Sequence, residues 1–154
     1  MTPIRFFVAG IPKSMSVGST VRWKTKDGSR QGQFQTRANT DWGLVVAEVG
    51  RRHAPPAPFA GPVSFKALFL VPKPSTAGRH VVAPLKRPDI DNLVHKLTDH
   101  FNGIFWLDDS QIVDFVAYKR FAGPGSQTGV EITIEQIMPS QAELSWRAEE
   151  IARL

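Results

Sequence analysis

Apolar and β-branched residues run from Ile4 to Ala9 and stop at Gly10 and Pro12, the pattern of an opening strand. Val21 to Thr25 repeats that signal more weakly. The period then changes. Trp42, Val45, Val46 and Val49 recur at helical spacing behind Asn39, Thr40 or Asp41 as candidate caps, which predicts a helix to about Arg52. The proline-rich stretch Ala54-Pro55-Pro56-Ala57-Pro58 ends it. From Pro62 to Val71 the period returns to two, with Phe65, Ala67 and Phe69 alternating against Ser64, Lys66 and Leu68, as expected of a central strand.

Pro72 to Lys86 is rich in Pro, Ser and Gly and predicts a loop. A helix is expected from about Asn92 to Phe101, with Asp91 as its cap, Asp89 in the entering turn and Asn102-Gly103 as a left-handed exit. Gln111 to Phe121 and Val130 to Ile137 follow as two strands joined by a glycine-rich turn, an arrangement that suggests a hairpin. Ser140-Gln141-Ala142-Glu143 has capping-box spacing and opens a helix over 140–153, whose Leu144, Trp146 and Ile151 can pack on the protein's own core or on a partner. The order of elements indicates an α+β fold, helices packed on a mixed β-sheet, in one compact domain over 1–154.

The chain has 154 residues, enough to bury a core without disulfides, and it contains no cysteine. Thiolate metal sites and cysteine nucleophiles are thereby excluded, so any metal must be held by oxygen or imidazole. Met1-Thr2-Pro3-Ile4-Arg5 has no basic run leading into an apolar stretch, and no apolar run reaches the length of a membrane span. A cytoplasmic protein without membrane contact is expected. The net charge of +5 matches that of one segment, residues 10–37, where Lys13, Arg22, Lys24, Lys26, Arg30 and Arg37 face Asp27 alone. This basic loop or hairpin suits a phosphate backbone, although the same residues also suit a solvated surface loop. Trp23 and Phe34 within it can stack on a base or simply pack.

The most informative segment is Lys86-Arg87-Pro88-Asp89-Ile90-Asp91-Asn92-Leu93, followed by Trp106-Leu107-Asp108-Asp109-Ser110-Gln111. A helix that returns to the neighbouring strand brings Asp89 and Asp91 toward Asp108 and Asp109. Clustered carboxylates repel one another unless a cation or a proton neutralises them, and oxygen ligands suit Mg²⁺. A bound Mg²⁺ would serve phosphodiester hydrolysis. At about 100° per residue, Asp91, Asn92, His95 and Asp99 fall on a polar face opposite Leu93, Val94, Leu97 and Phe101. His95 lies one turn beyond Asp91, and Lys96 sits at the edge of that face; spacing leaves both open as the positive group of the site. Taken singly, each of these residues also reads as a cap, a polar turn or a solvated helix position.

Arg87-Pro88-Asp89-Ile90-Asp91-Asn92-Leu93, then Asp99, Asn102-Gly103, and Trp106-Leu107-Asp108-Asp109-Ser110-Gln111-Ile112-Val113 together resemble the RusA family of Holliday junction resolvases, which are bacterial or phage-encoded. The resemblance is strongest from Lys86 to about Lys119. It implies a homodimer that binds four-way DNA junctions and introduces paired nicks with Mg²⁺, with Mn²⁺ able to substitute, in DNA recombination and repair. By the same resemblance Asp89 and Asp91 are the essential pair and Asp109 completes the metal site, with Asp108 beside it. The family usually carries a catalytic lysine four residues after its second aspartate; here that position is His95, and Lys96 follows. Lys24, Lys26, Arg30, Lys86, Arg87, Lys119 and Arg120 are the candidate phosphate contacts. A catalytically silent junction-binding protein is the alternative that His95 would help to explain, and a small-molecule phosphohydrolase would need no basic segment.

Overall fold

The computed structural model describes residues 2–13, 19–25, 28–34 and 37–138, with side chains over 2–13 and 42–138. The helix expected over 140–153 lies outside them, as does Lys26; Trp23, Lys24, Arg30 and Phe34 are placed by their backbone alone. The elements are β1 (Ile4–Ala9), β2 (Ser19–Thr25), β3 (Gly28–Phe34), α1 (Arg37–His53), β4 (Val63–Val71), α2 (Ile90–Phe101), a 3₁₀ turn (Asp109–Gln111), β5 (Ile112–Phe121) and β6 (Gly129–Gln136). Among the described residues, two helices, a mixed four-stranded sheet and a two-stranded sheet make the architecture α+β, as the element order indicated. Among the described residues no helix is long and apolar enough to cross a membrane.

Sheet order is β1-β6-β4-β5, with β4 antiparallel to β6 and parallel to β5. The expected β5–β6 hairpin is therefore corrected: β4 lies between the two strands. The reason is burial. Val63, Phe65, Ala67, Phe69 and Val71 line one face of β4 and are all buried, and pairing on both edges completes their shielding. By contrast β5 leaves Val113, Phe115 and Tyr118 exposed and takes the edge. The crossover through α2 makes β4 and β5 parallel, as such connections require. Residues 122–128 then pass over the end of β4, held where Ala122 N–H donates to Val71 O at 2.9 Å and Gly10 N–H donates to Thr128 O at 3.0 Å.

The basic segment adopts the hairpin alternative. Strands β2 and β3 pair antiparallel as a separate two-stranded sheet, with Trp23 opposite Arg30 and Lys24 opposite Ser29. Helix α1 begins at Arg37, ahead of the expected caps, and Val45, read as part of its apolar face, is 43% exposed while Trp42 and Val46 are buried. Small residues set how closely α1 meets α2. A Cβ on Gly50 would come within 2.9 Å of the Phe101 ring, and one on Gly43 would collide with His100. With Ala47 between them, these glycines remove the side chains that would otherwise hold the helices apart.

The core joins Phe6 and Val8 of β1, the inward face of β4, Val130, Ile132 and Ile134 of β6, and Leu93, Leu97 and Phe101 of α2. Phe105 and Trp106, in the connection after α2, are fully buried in the same cluster. Gly103 takes φ of 75°, the left-handed exit expected at the end of α2, and turns the chain so that these two rings enter the core. Three residues later comes Asp109. The core thus positions the acidic turn.

Candidate active site

Helix α2 starts at Ile90, two residues before the expected start, so Asp89 is its N-cap and Asp91 lies in its first turn. The backbone of Asp89 is extended, and its carbonyl accepts from Leu93 N–H at 3.1 Å. Its side chain makes no capping hydrogen bond, which leaves the carboxylate free for another partner. Asp89 and Asp91 are exposed and line a cleft of about 420 Å³ with Tyr118, Lys119 and Arg120 of β5, closed at one side by Pro84 and Leu85. Two carboxylates at a helix N-terminus, facing two cations, form a site of mixed charge.

Lys119 also holds the approach to the helix in place. Its Nζ donates to Lys86 O at 3.1 Å and to Pro88 O at 2.8 Å, tying the segment before Asp89 to β5. The Arg120 guanidinium lies 5.2 Å from the Tyr118 ring centroid. Lys86 and Arg87 are exposed and line the next cavity along the same loop.

One turn farther along α2 lies a second cluster. Single ligand atoms from His95, Asp99 and Asp109 all fall within 4.8 Å of one another, and His95 Nε2 is 3.7 Å from Asp99 Oδ2. The spacing of Asp91, His95 and Asp99 repeats every four residues, a rise of about 6 Å per step, so both groups lie along one stripe of the helix. The three donor atoms could converge on one divalent ion, which would offset the charge of the gathered carboxylates. Two carboxylates and an imidazole are a donor set that such an ion accepts.

His95 and Lys96, left open by spacing, face different surroundings. The imidazole of His95 is exposed and joins the carboxylates, whereas Lys96 is 1% exposed, among the most buried side chains of α2. Burial lowers the Lys96 pKa, and the positive charge of Lys13 lowers it further. His100, one turn beyond, is held below its usual pKa by burial and then by Lys96, with Asp99 opposing.

Asp108 is exposed and caps the 3₁₀ turn. Its Oδ1 accepts from Ser110 N–H at 2.9 Å, and Gln111 Oε1 accepts from Asp108 N–H at 3.1 Å, a capping box. Gln111 Oε1 also accepts from Leu107 N–H, while its Nε2 donates to Phe59 O at 2.7 Å and Gly61 O at 3.0 Å. Gln111 therefore fixes the turn that presents Asp109. Sequence reasoning singled out Gln111 only as part of a motif; the Asp108-x-x-Gln111 spacing already carried the capping-box signal. Asp99 was read as a polar-face residue, and its place beside Asp109 depends on how α2 meets the turn.

The hydrogen bonds from Ser110 hold the Asp108 carboxyl below its ordinary 3.8. A depressed folded pKa means that the cap's contribution is complete above the unfolded value and is lost as pH falls through the folded one. Asp108→Ala is expected to lower Tm at neutral pH, with the gap from the wild type closing in acid below pH 3.8. A gap that persisted there would show that the charge of the cap is not what holds the turn.

Comparison with known proteins shows the family. A relative in Bacillus subtilis (strain 168), the uncharacterised protein YqaN, is 29% identical over 102 residues, which is 60% of this chain and 70% of that protein. The family model of the endodeoxyribonuclease RusA matches residues 17–135, a span that contains the basic hairpin, both acidic groups and all of the main sheet except β1 and the last residue of β6. On that match the chain belongs to the RusA family of endodeoxyribonucleases.

Proposed function

We propose that this protein is a metal-dependent, structure-selective DNA endonuclease that resolves four-way junctions by paired phosphodiester hydrolysis in recombination and repair. The observation that carries the reading is the stripe Asp91, His95 and Asp99 on α2, with Asp89 at its head and Asp109 beside it, inside the matched span. Asp89, Asp91 and Asp109 are the proposed essential carboxylates; His95 and Asp99 are proposed to join Asp109 in holding the ion, with Asp89 and Asp91 acting beside it at the head of α2. Asp108 serves as the cap that holds Asp109.

A divalent ion bound there supplies a polarised phosphoryl oxygen and a more acidic attacking water. The protein's own residues do the positioning. Lys119 and Arg120 face Asp89 and Asp91 across the cleft and hold the phosphate against the carboxylates. Lys86 and Arg87, with Lys24, Lys26 and Arg30 of the basic segment, extend the contact along the backbone, so binding weakens as salt rises. Two matching cuts call for two sites, which a homodimer provides.

Mg²⁺ fits the carboxylates, and the imidazole of His95 adds a nitrogen donor that a transition-metal ion such as Mn²⁺ accepts more readily than Mg²⁺ does. Mn²⁺ is accordingly expected to give half-maximal nicking at a lower concentration than Mg²⁺, and His95→Lys to narrow that difference. Identical metal titrations for wild type and His95→Lys would remove His95 from the donor set.

The reading is tested by comparing wild type and Asp91→Asn on four-way, forked and linear duplex DNA, for binding and for nicking with Mg²⁺, with Mn²⁺ and with chelator. Binding of the four-way substrate by both proteins, with metal-dependent nicks from the wild type alone, is expected. Binding without nicks by both would identify a silent junction-binding protein, the reading that histidine at position 95 favours.

A further inference from the structure

The Asp89–Asp91 cleft shares a wall, Pro84 and Leu85, with a second cavity of about 590 Å³. Its walls are largely apolar: Val71 and Phe121 from the ends of β4 and β5, Pro72, Pro74 and Val81 from the intervening loop, and Pro12 after β1. Lys86 and Arg87 line it on the side nearest Asp89, and Lys73 Nζ lies 5.7 Å from the Phe121 ring centroid. An apolar cavity bordered by cations and opening beside a carboxylate site matches one unit of a nucleic acid strand, an anionic phosphate carrying a flat apolar base.

We propose that this cavity receives an unstacked nucleobase from the DNA strand whose phosphate occupies the Asp89–Asp91 cleft. The proposal rests on the nuclease reading and extends it to a substrate subsite. Phe121 and the proline-rich wall offer the base apolar surface to stack against, while Lys86 and Arg87 hold the phosphates on either side of it. Chain geometry favours this occupant, because Lys86 and Arg87 lead directly to Asp89, and a strand following them passes both cavities in turn. A paired base in linear duplex must be unstacked and unpaired to enter, at a cost of a few kcal/mol, whereas a base at a branch point has already lost part of its stacking. The cavity therefore favours branched over linear DNA without reading a sequence.

The test uses the full chain carrying Asp91→Asn, so that the DNA stays intact, and a synthetic four-way junction with 2-aminopurine at the branch point. On binding, 2-aminopurine fluorescence is expected to rise severalfold at the branch point and to stay constant at a control position in an arm. Thr76→Trp fills the cavity from its exposed rim, and Phe121→Ala removes its aromatic wall. Each is expected to suppress the rise and to weaken junction binding roughly tenfold, within the range of one stacked base, while binding to linear duplex stays unchanged. A full rise in both variants, or no rise in the parent, would overturn the proposal. Junction nicking by the otherwise unaltered chain separates the two readings: nicks without a fluorescence change defeat the cavity assignment alone, and absence of both nicks and binding defeats the nuclease reading with it.

Discussion

Asp109→Asn is expected to reduce nicking of a four-way junction by on the order of a thousandfold while leaving junction binding intact. Asp109 is common to the three carboxylates singled out in the sequence and to the His95–Asp99–Asp109 cluster. Asparagine keeps the size of the side chain and one oxygen but removes the charge that a divalent cation requires. An ion at such a site contributes several kcal/mol of transition-state stabilisation, and each 1.4 kcal/mol is about tenfold in rate. Binding is expected to hold or tighten, because a negative charge near the phosphate is gone. Single-turnover nicking and a mobility-shift titration on the same labelled junction measure both effects. A rate within tenfold of the wild type would show that Asp109 does not hold the ion.

Trp106→Ala is expected to cost about 3–5 kcal/mol of stability, the usual range for emptying a buried aromatic site. Its ring is fully buried, with centroids 5.7 Å from Phe65, 5.9 Å from Phe101 and 6.2 Å from Phe105. Its Nε1–H donates to Asn102 Oδ1 at 2.8 Å, which spans the turn between α2 and the acidic segment. For a domain of this size the loss corresponds to a fall in Tm on the order of 10 °C. Because Trp106 precedes Asp109 by three residues, partial loosening of this ring also releases the turn that presents the carboxylate. Thermal unfolding followed by circular dichroism checks the magnitude. A loss below 1 kcal/mol would mean that the neighbouring rings collapse into the space.

The two predictions join the core to the chemistry. Gly103 turns the chain at the end of α2, Phe105 and Trp106 anchor it, Gln111 ties the turn to Phe59 and Gly61, and Asp109 is held against the stripe on α2. Lys119 does the corresponding work at the other end by binding the carbonyls of Lys86 and Pro88. Both acidic segments are thus anchored by groups that do not themselves belong to the proposed donor set.

Local patterns made much of this legible from residue order. Alternation from Val63 to Val71 marked β4, and the four-residue spacing of Asp91, His95 and Asp99 put them on one face of α2, because a strand's period of two and a helix's of 3.6 are properties of neighbouring residues. Of the acidic residues singled out, Asp109 lies beside His95 and Asp99, while Asp89 and Asp91 line the cleft with Lys119 and Arg120. Pairing of strands is different. Val130 to Gln136 has the same alternation whether it lies beside β5 or β4, and the choice was made by β4, whose fully buried face needs neighbours on both edges. The start of α2 moved from Asn92 to Ile90 because capping depends on backbone torsions that a run of Asp and Asn residues leaves ambiguous.

The feature farthest from sequence reach was which of His95 and Lys96 meets the acidic residues. His95 and Lys96 are adjacent, and helical phase alone put both near the polar face. Packing separated them: Lys96 is buried, while His95 remains exposed beside Asp99 and Asp109. Residue order determined which side chains α2 offers, since chain connectivity and helical rise are local. Tertiary structure decided which of them meets Asp109, because that contact joins segments whose approach is set by the crossover from β4 to β5 and by the rings buried beneath it.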